Sequence, residues 1–173
     1  MKKEIKNVSI KKYCNSNKSE YKALVESCVF PHELRVLEMQ TLEHKKIFIM
    51  FIEWEKKSIF YNKSFIKPIG YCIVEDTKIH PINKVALSGI YNIPTTVIDE
   101  YPTIISDCMI VANYRRLGYG RQLAEYVVHN EYKNKKISLH AVEGGVYFWD
   151  KIGFEYIDGM DSVMVIKGGE RNA

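Results

Sequence analysis

The residues that most restrict how this chain can fold run from 104 to 132. Ile104 to Val111 is dense in apolar and β-branched side chains, as a buried strand requires. A turn containing Gly118 and Gly120 comes next, and from Gln122 to Tyr132 the residues Leu123, Tyr126 and Val127 recur at helical spacing. The order is strand, tight turn, helix. Such a unit has a physical use, because glycine lets the backbone approach a ligand closely and the N-terminus of a helix offers free N–H groups to phosphate oxygens. A pyrophosphate would sit there. Taken alone, the pattern Arg115-x-x-Gly118-x-Gly120 describes equally well a plain turn whose glycines only satisfy backbone geometry.

The remaining pattern is that of a mixed α/β chain. Ile5 to Tyr13 alternates imperfectly and reads as a first strand. Ser19 can cap a helix through Tyr21, Leu24, Val25 and Cys28 that Pro31 ends, and a second short helix is expected over Glu33 to Leu42. Ile47 to Ile52 is a continuous apolar run, as expected for a strand covered on both faces, and Ile69 to Val74 reads as its neighbour. Pro81, Pro94 and Pro102 punctuate residues 77–101, which read as loop with short pieces. Ile137 to Val142 gives a further strand and Val146 to Ile152 a short helix. Phe154 to Ile157 and Ser162 to Ile166 form a hairpin turning at Asp158-Gly159.

Length and composition set the class. A chain of 173 residues can bury one substantial core and is short for two ordinary domains, so residues 1–173 read as a single domain. With 46% hydrophobic and 27% charged residues the balance is that of a folded soluble protein. The basic start, Met1 to Lys6, is not followed by the apolar run of a secretory signal, and no stretch is long and apolar enough to span a bilayer. Cys14, Cys28, Cys72 and Cys108 are scattered, with no CxxC pair and no nearby histidine at ligand spacing, so the expectation is reduced thiols in a cytoplasm and no metal site. A net charge of +4 helps attract a phosphorylated cofactor, but the lysines are spread along the chain without interleaved aromatics, which counts against a nucleic-acid surface.

Two segments carry a resemblance. Ala112-Asn113-Tyr114-Arg115-Arg116-Leu117-Gly118-Tyr119-Gly120-Arg121-Gln122-Leu123 closely resembles the acetyl-CoA motif of the GNAT superfamily of N-acetyltransferases. Downstream, Phe148-Trp149-Asp150-Lys151-Ile152-Gly153-Phe154 is similar to that family's second signature, YEKLGF. The two stand in the family's order and spacing, and the similarity covers residues 104–157. It implies a twisted, mixed but mostly antiparallel sheet flanked by helices, with two parallel strands splayed apart at the cofactor. It further implies that backbone amides from Arg116 to Arg121, Leu117, Gly118, Tyr119 and Gly120 included, hold the pyrophosphate of acetyl-CoA, with Arg115, Arg116 and Arg121 adding charge. The pantetheine arm would pair with the backbone of Cys108, Met109 and Ile110 much as an added strand does. A backbone N–H on that strand would stabilise the oxyanion.

Acetyl transfer needs an unprotonated amine, and so a base. His140 is the first candidate, since some family members that acetylate N-terminal amines carry a similar Leu-His pair on this strand; a packed or surface histidine is the alternative. Asp107 is the second, with a hydrogen bond to neighbouring backbone as its ordinary role. Two positions depart from the family: Ile104 stands where many relatives have an acidic or polar residue, and Trp149 where many have the tyrosine that protonates the leaving thiolate. Trp149 is read as a wall of the cofactor cleft or as a core aromatic. Val29-Phe30-Pro31 and the group Glu53, Trp54 and Glu55 are further candidates for bordering the acceptor.

The expected activity is therefore acetyl transfer from acetyl-CoA to a primary amine of a small molecule or peptide. The alternatives are an acyl-CoA sensor or pseudoenzyme without catalysis and, third, a toxin acetylating aminoacyl-tRNA. A homodimer is common among relatives.

Overall fold

Among the described residues seven strands form one sheet in the order β1-β2-β3-β4-β5-β7-β6. They are β1 (Glu4–Lys12), β2 (Lys45–Lys57), β3 (Asn62–Asp76), β4 (Thr103–Ile110), β5 (Ile137–His140), β6 (Glu155–Tyr156) and β7 (Val163–Ile166). The structure, a computed structural model, describes residues 4–13, 44–57, 62–80 and 82–168. The helices expected over Ser19 to Cys28 and Glu33 to Leu42, and Val29-Phe30-Pro31 between them, lie outside the described residues. Every neighbouring pair of strands is antiparallel except β4 and β5, which run parallel.

The run Ile47 to Ile52 has no polar alternation because both faces of β2 are covered. Phe48, Met50 and Ile52 join Cys72 and Val74 under Leu123, Val127 and Trp149, while Ile47, Ile49 and Phe51 meet Tyr71 and Ile73 on the opposite face. Full burial of each such side chain stabilises the fold by about 1.5–3 kcal/mol. The first face is covered by α3 (Tyr119–Tyr126) and α4 (Val146–Asp150), the latter through Trp149. On the second, α1 (Lys84–Tyr91) and α2 (Thr95–Glu100) place Leu87, Val97 and Ile98 against Ile104, Val163 and Val165.

Two of these helices are the short pieces expected within residues 77–101. Asn83 caps α1 by accepting from the Ala86 N–H at 2.9 Å, and Asn92, at φ 52°, ends it in the left-handed conformation. Leu87 is the one buried side chain of α1, so no apolar stripe repeats at helical spacing and the helix leaves little pattern in the sequence. The helix expected from Gln122 instead begins at Tyr119, and past Tyr126 it widens into a π turn over Val127–Glu131, closed by the Tyr132 N–H on the Val127 carbonyl at 3.1 Å.

The β3–β4 ladder carries one irregularity. Ile73 faces Asp107 and Val74 faces Ile105, so Ser106 is an extra residue on β4, a β-bulge that turns the alternation of side chains. Past it, Cys108 lies opposite Cys72, and Asp107 and Met109 point to the face of Tyr71.

Gly70, opposite Ile110, keeps β3 and β4 close. A Cβ there would stand 2.3 Å from Ile110 Cδ1 and 2.7 Å from the Met109 carbonyl oxygen. Gly70→Ala is expected to cost about 1–3 kcal/mol in chemical denaturation. Gly89→Ala, inside α1 with open space around it, should instead stabilise by about 0.5–1 kcal/mol.

Candidate active site

β4 and β5 are joined by only two residue pairs, Thr103 with Ile137 and Ile104 with Ser138. Beyond these β4 continues to Ile110 and β5 to His140 without pairing to each other, so the strands part and, among the described residues, the backbone groups of β4 that point away from β3 lack a strand partner there. The closed end of this V is fixed by the Ser138 hydroxyl, which donates to the Tyr101 carbonyl at 3.0 Å, and by Ile104, fully buried under α1 and α2. Ile104 therefore fills the apex as a core residue.

The open end leads into the glycine turn. A single 3-10 turn, Ala112–Tyr114, succeeds β4, and the Arg115 Nε donates to the Ile110 carbonyl at 2.8 Å, tying the turn to the strand it leaves. Arg116 (φ 63°) and Gly118 (φ 85°) are both left-handed, which reverses the chain and starts α3. The N-cap of α3 is Gly118, which has no side chain to cap with, and the first backbone bond of the helix runs from Gln122 N–H to the Gly118 carbonyl. The amides of Tyr119, Gly120 and Arg121 precede that bond and face the helix N-terminus without an intrahelical acceptor. A Cβ on Gly118 would meet nothing within 4 Å, whereas one on Gly120 would touch Ile110 and Phe148 at ordinary contact distance. Only Gly118 is held to glycine by backbone conformation.

The two acid–base candidates lie on the α1 side of the sheet, on either arm of the V. His140 Nε2 is 3.1 Å from the Asn92 side-chain nitrogen, so the residue that terminates α1 orients the imidazole. Asp107 accepts from the Tyr71 hydroxyl at 2.7 Å. Burial raises the Asp107 pKa above the ordinary carboxylate value, and the bonds from Tyr71 and from the Cys108 backbone offset part of that rise. Beside His140 a cleft of ≈ 360 Å³ opens between the α1–α2 junction and the β6–β7 turn, lined by Asn92, Ile93, Pro94, Met160, Asp161 and Val163 among others.

No known family profile matches the chain, and no curated protein matches it by sequence. Solved structures do. The ribosomal-protein-S18-alanine N-acetyltransferase of Escherichia coli superposes with a TM-score of 0.53 at 12% identity, over 96% of this chain and 99% of that one. A protein of Exiguobacterium sp. 255-15, provisionally named an acetyltransferase, gives 0.51 at 13% identity over 94% of each. The chain has the GNAT fold.

Within the GNAT fold the other predicted residues take distinct places. Cys108, Met109 and Ile110 form the far part of β4, and Arg116, Leu117 and Arg121 are exposed around the turn. Arg121 is paired with Glu125 at 2.9 Å on the solvent side of α3, and Tyr119 lies edge-on to Tyr114. Trp149 is 8% exposed, edge-on to Phe148 and Phe154 in the core beneath α3, while Tyr147 two residues earlier is 71% exposed. Glu53, Trp54 and Glu55 pair with Ile66, Phe65 and Ser64, a stretch of β3 beyond the part paired with β4, and so are not brought to the V. Among the described residues no helix is long and apolar enough to cross a membrane.

Tyr71 and Asn92, the partners of the two candidates, carry no sequence signal. Tyr71 reads as a strand aromatic, and Asn92 as punctuation before Pro94.

Because the fold favours the protonated Asp107, its contribution to stability is greatest below the ordinary carboxylate pKa of about 4 and is lost as pH rises through the raised value. Asp107→Asn, which keeps an acceptor for Tyr71 and cannot ionise, should melt progressively higher than the parent as pH increases from about 4 to 7. A Tm difference flat in pH would contradict the assigned shift.

Proposed function

We propose that this chain is an N-acetyltransferase that takes its acetyl group from acetyl-CoA and delivers it to a primary amine. The observation that carries the proposal is the parting of β4 from β5 directly beside a helix N-terminus that has no capping side chain. A strand edge with free backbone groups suits the amides of a pantetheine arm, and the row of N–H groups from Arg116 to Arg121 suits a diphosphate. Arg116 adds an exposed guanidinium there, while Arg115 is engaged with the Ile110 carbonyl and serves the shape of the turn.

The chemistry rests on the two arms. The acceptor reaches the site as an ammonium, and His140, or Asp107 across the V, removes a proton so that the nitrogen lone pair can attack the thioester carbon. The oxygen of the tetrahedral intermediate becomes an anion held by a β4 backbone N–H near the Ser106 bulge. The nitrogen gives up its second proton to water as the carbon–sulfur bond breaks, leaving the amide and a thiolate that takes a proton from water, since Trp149 is no acid. The cleft beside His140, with Asp161 in its lining, suits a cationic amine on a small molecule or peptide. Action in the cytoplasm fits Cys72 and Cys108, which are free thiols.

A second reading, acyl-CoA binding without catalysis, is favoured by the core roles of Ile104 and Trp149, neither of which can act as a base or an acid. Thiol release from acetyl-CoA across a panel of amines separates the two. The proposal expects one class of amine to accelerate release, Gly118→Val to keep the fold while losing more than tenfold in coenzyme affinity, and His140→Ala to lower turnover by about 10²-fold or more, most below the pKa of the amine. Tight binding with no amine-dependent release would leave the binding reading; undiminished affinity in Gly118→Val would remove the turn assignment.

A further inference from the structure

Away from the V, at the end of the sheet where β2 begins and β3 ends, the fold gathers His44, Glu75 and His80. One ligand atom from each lies within 4.8 Å of the others. His44 and Glu75 are 4% and 1% exposed, and the His80 side chain 5%. The two imidazoles meet edge to face with centroids 3.9 Å apart.

His44 Nε2 is buried without a hydrogen-bond partner, and Glu75 Oε2, equally buried, has no bond of good geometry, its neighbours being the His80 ring nitrogen at 3.4 Å and the Tyr91 hydroxyl, which bonds the Glu75 carboxylate. A buried polar atom left unpaired bears its full desolvation cost, so each one calls for a partner such as water or a bound ion. Here an unpartnered ring nitrogen lies beside a carboxylate oxygen held only by weak contacts. Water or a hydroxyl could satisfy either, but one cation satisfies both.

We propose that His44, Glu75 and His80 form a binding site for a divalent transition-metal ion of the zinc class. Two imidazole nitrogens and one carboxylate oxygen are the donor set of zinc, and nitrogen ligands select against magnesium and calcium. Ligands of a tetrahedral zinc at its usual bond lengths stand roughly 3.3–3.5 Å apart. His80 Nε2 and Glu75 Oε2 are already 3.4 Å apart, so binding requires mainly the approach of His44.

The surroundings resemble the outer shell of a metal site. Lys45 Nζ holds the other Glu75 oxygen at 2.8 Å, which orients the carboxylate and leaves Oε2 for the ion. The nearby ammonium also weakens the affinity for a cation. The Ile82 N–H donates to His80 Nδ1 at 3.1 Å, which puts the proton of the neutral ring on Nε2; ligation moves it to Nδ1 and turns that exposed amide to water. The ion would pin the turn after β3 to the start of β2. That turn leads directly into α1, whose terminal Asn92 holds His140.

The test uses the full-length chain freed of any affinity tag, stripped with a chelator, with zinc added and no coenzyme present, so that it is independent of the acetyl-transfer reading. The parent should retain one zinc per chain through desalting and gain about 3–6 °C in Tm at a tenfold excess over Kd. With Co²⁺ it should develop the visible d–d absorption of a tetrahedral site. Glu75→Gln and His80→Ala should lose retention, thermal shift and colour together; His80 lies in a turn, so its variant reports even if Glu75→Gln fails to fold. Zinc left behind on desalting, or an equal thermal shift in the parent and the His80→Ala variant, would overturn the site.

Discussion

The brevity of the β4–β5 pairing governs the rest of this molecule. After Ile104 and Ser138 the two parallel strands separate, although each continues. Parallel strands that part within a sheet leave backbone donors and acceptors facing one another across a gap, and the free-energy cost of leaving them unpaired has to be met from outside the chain. Packing on both faces keeps the gap open. Ile104 and Ser138 close its apex against α1, α2 and Tyr101, while α3 and the Trp149–Phe154 cluster hold the outer arms from the other face.

The turn at Arg116–Gly118 depends on the same divergence. A chain leaving β4 must reverse before it can lay α3 over the sheet, and two left-handed residues with one between them do this in little length. The reversal points the N-terminus of α3 back toward the open end of the V. The Ser106 bulge is the third element of the arrangement, since it changes which side chains of β4 look toward the α1 face and so sets Asp107 beside Tyr71. Gap, helix end and bulge thus form one construction, made by β4, the glycine turn and the start of α3.

How much of this is legible in the sequence differs by element. The run Ile47 to Ile52 and the stretch Ile104 to Val111 declare themselves, because strands buried on both faces need unbroken apolar residues. The turn is legible through its glycines, although the structure requires glycine at Gly118 and merely accommodates it at Gly120. α1 and α2 are hidden because a helix with one or two buried side chains carries almost no periodicity, and because the prolines that begin such helices are also the residues that end others. The bulge is a matter of register between strands, which no local pattern encodes. His44, Glu75 and His80 meet only because β2 and β3 are antiparallel neighbours that bring the start of one to the end of the other. For the site, the residue types are visible in the sequence, but their orienting partners Tyr71 and Asn92 are not.

If the open edge of β4 and the amides of the turn together receive a coenzyme, their backbone hydrogens must exchange more slowly when it is bound. Hydrogen–deuterium exchange of the whole chain with and without saturating coenzyme A measures this residue by residue. Protection confined to the β4 segment around Cys108 to Ile110 and to Arg116 through Arg121 is the predicted result. Exchange in both segments unchanged at saturation would contradict the account.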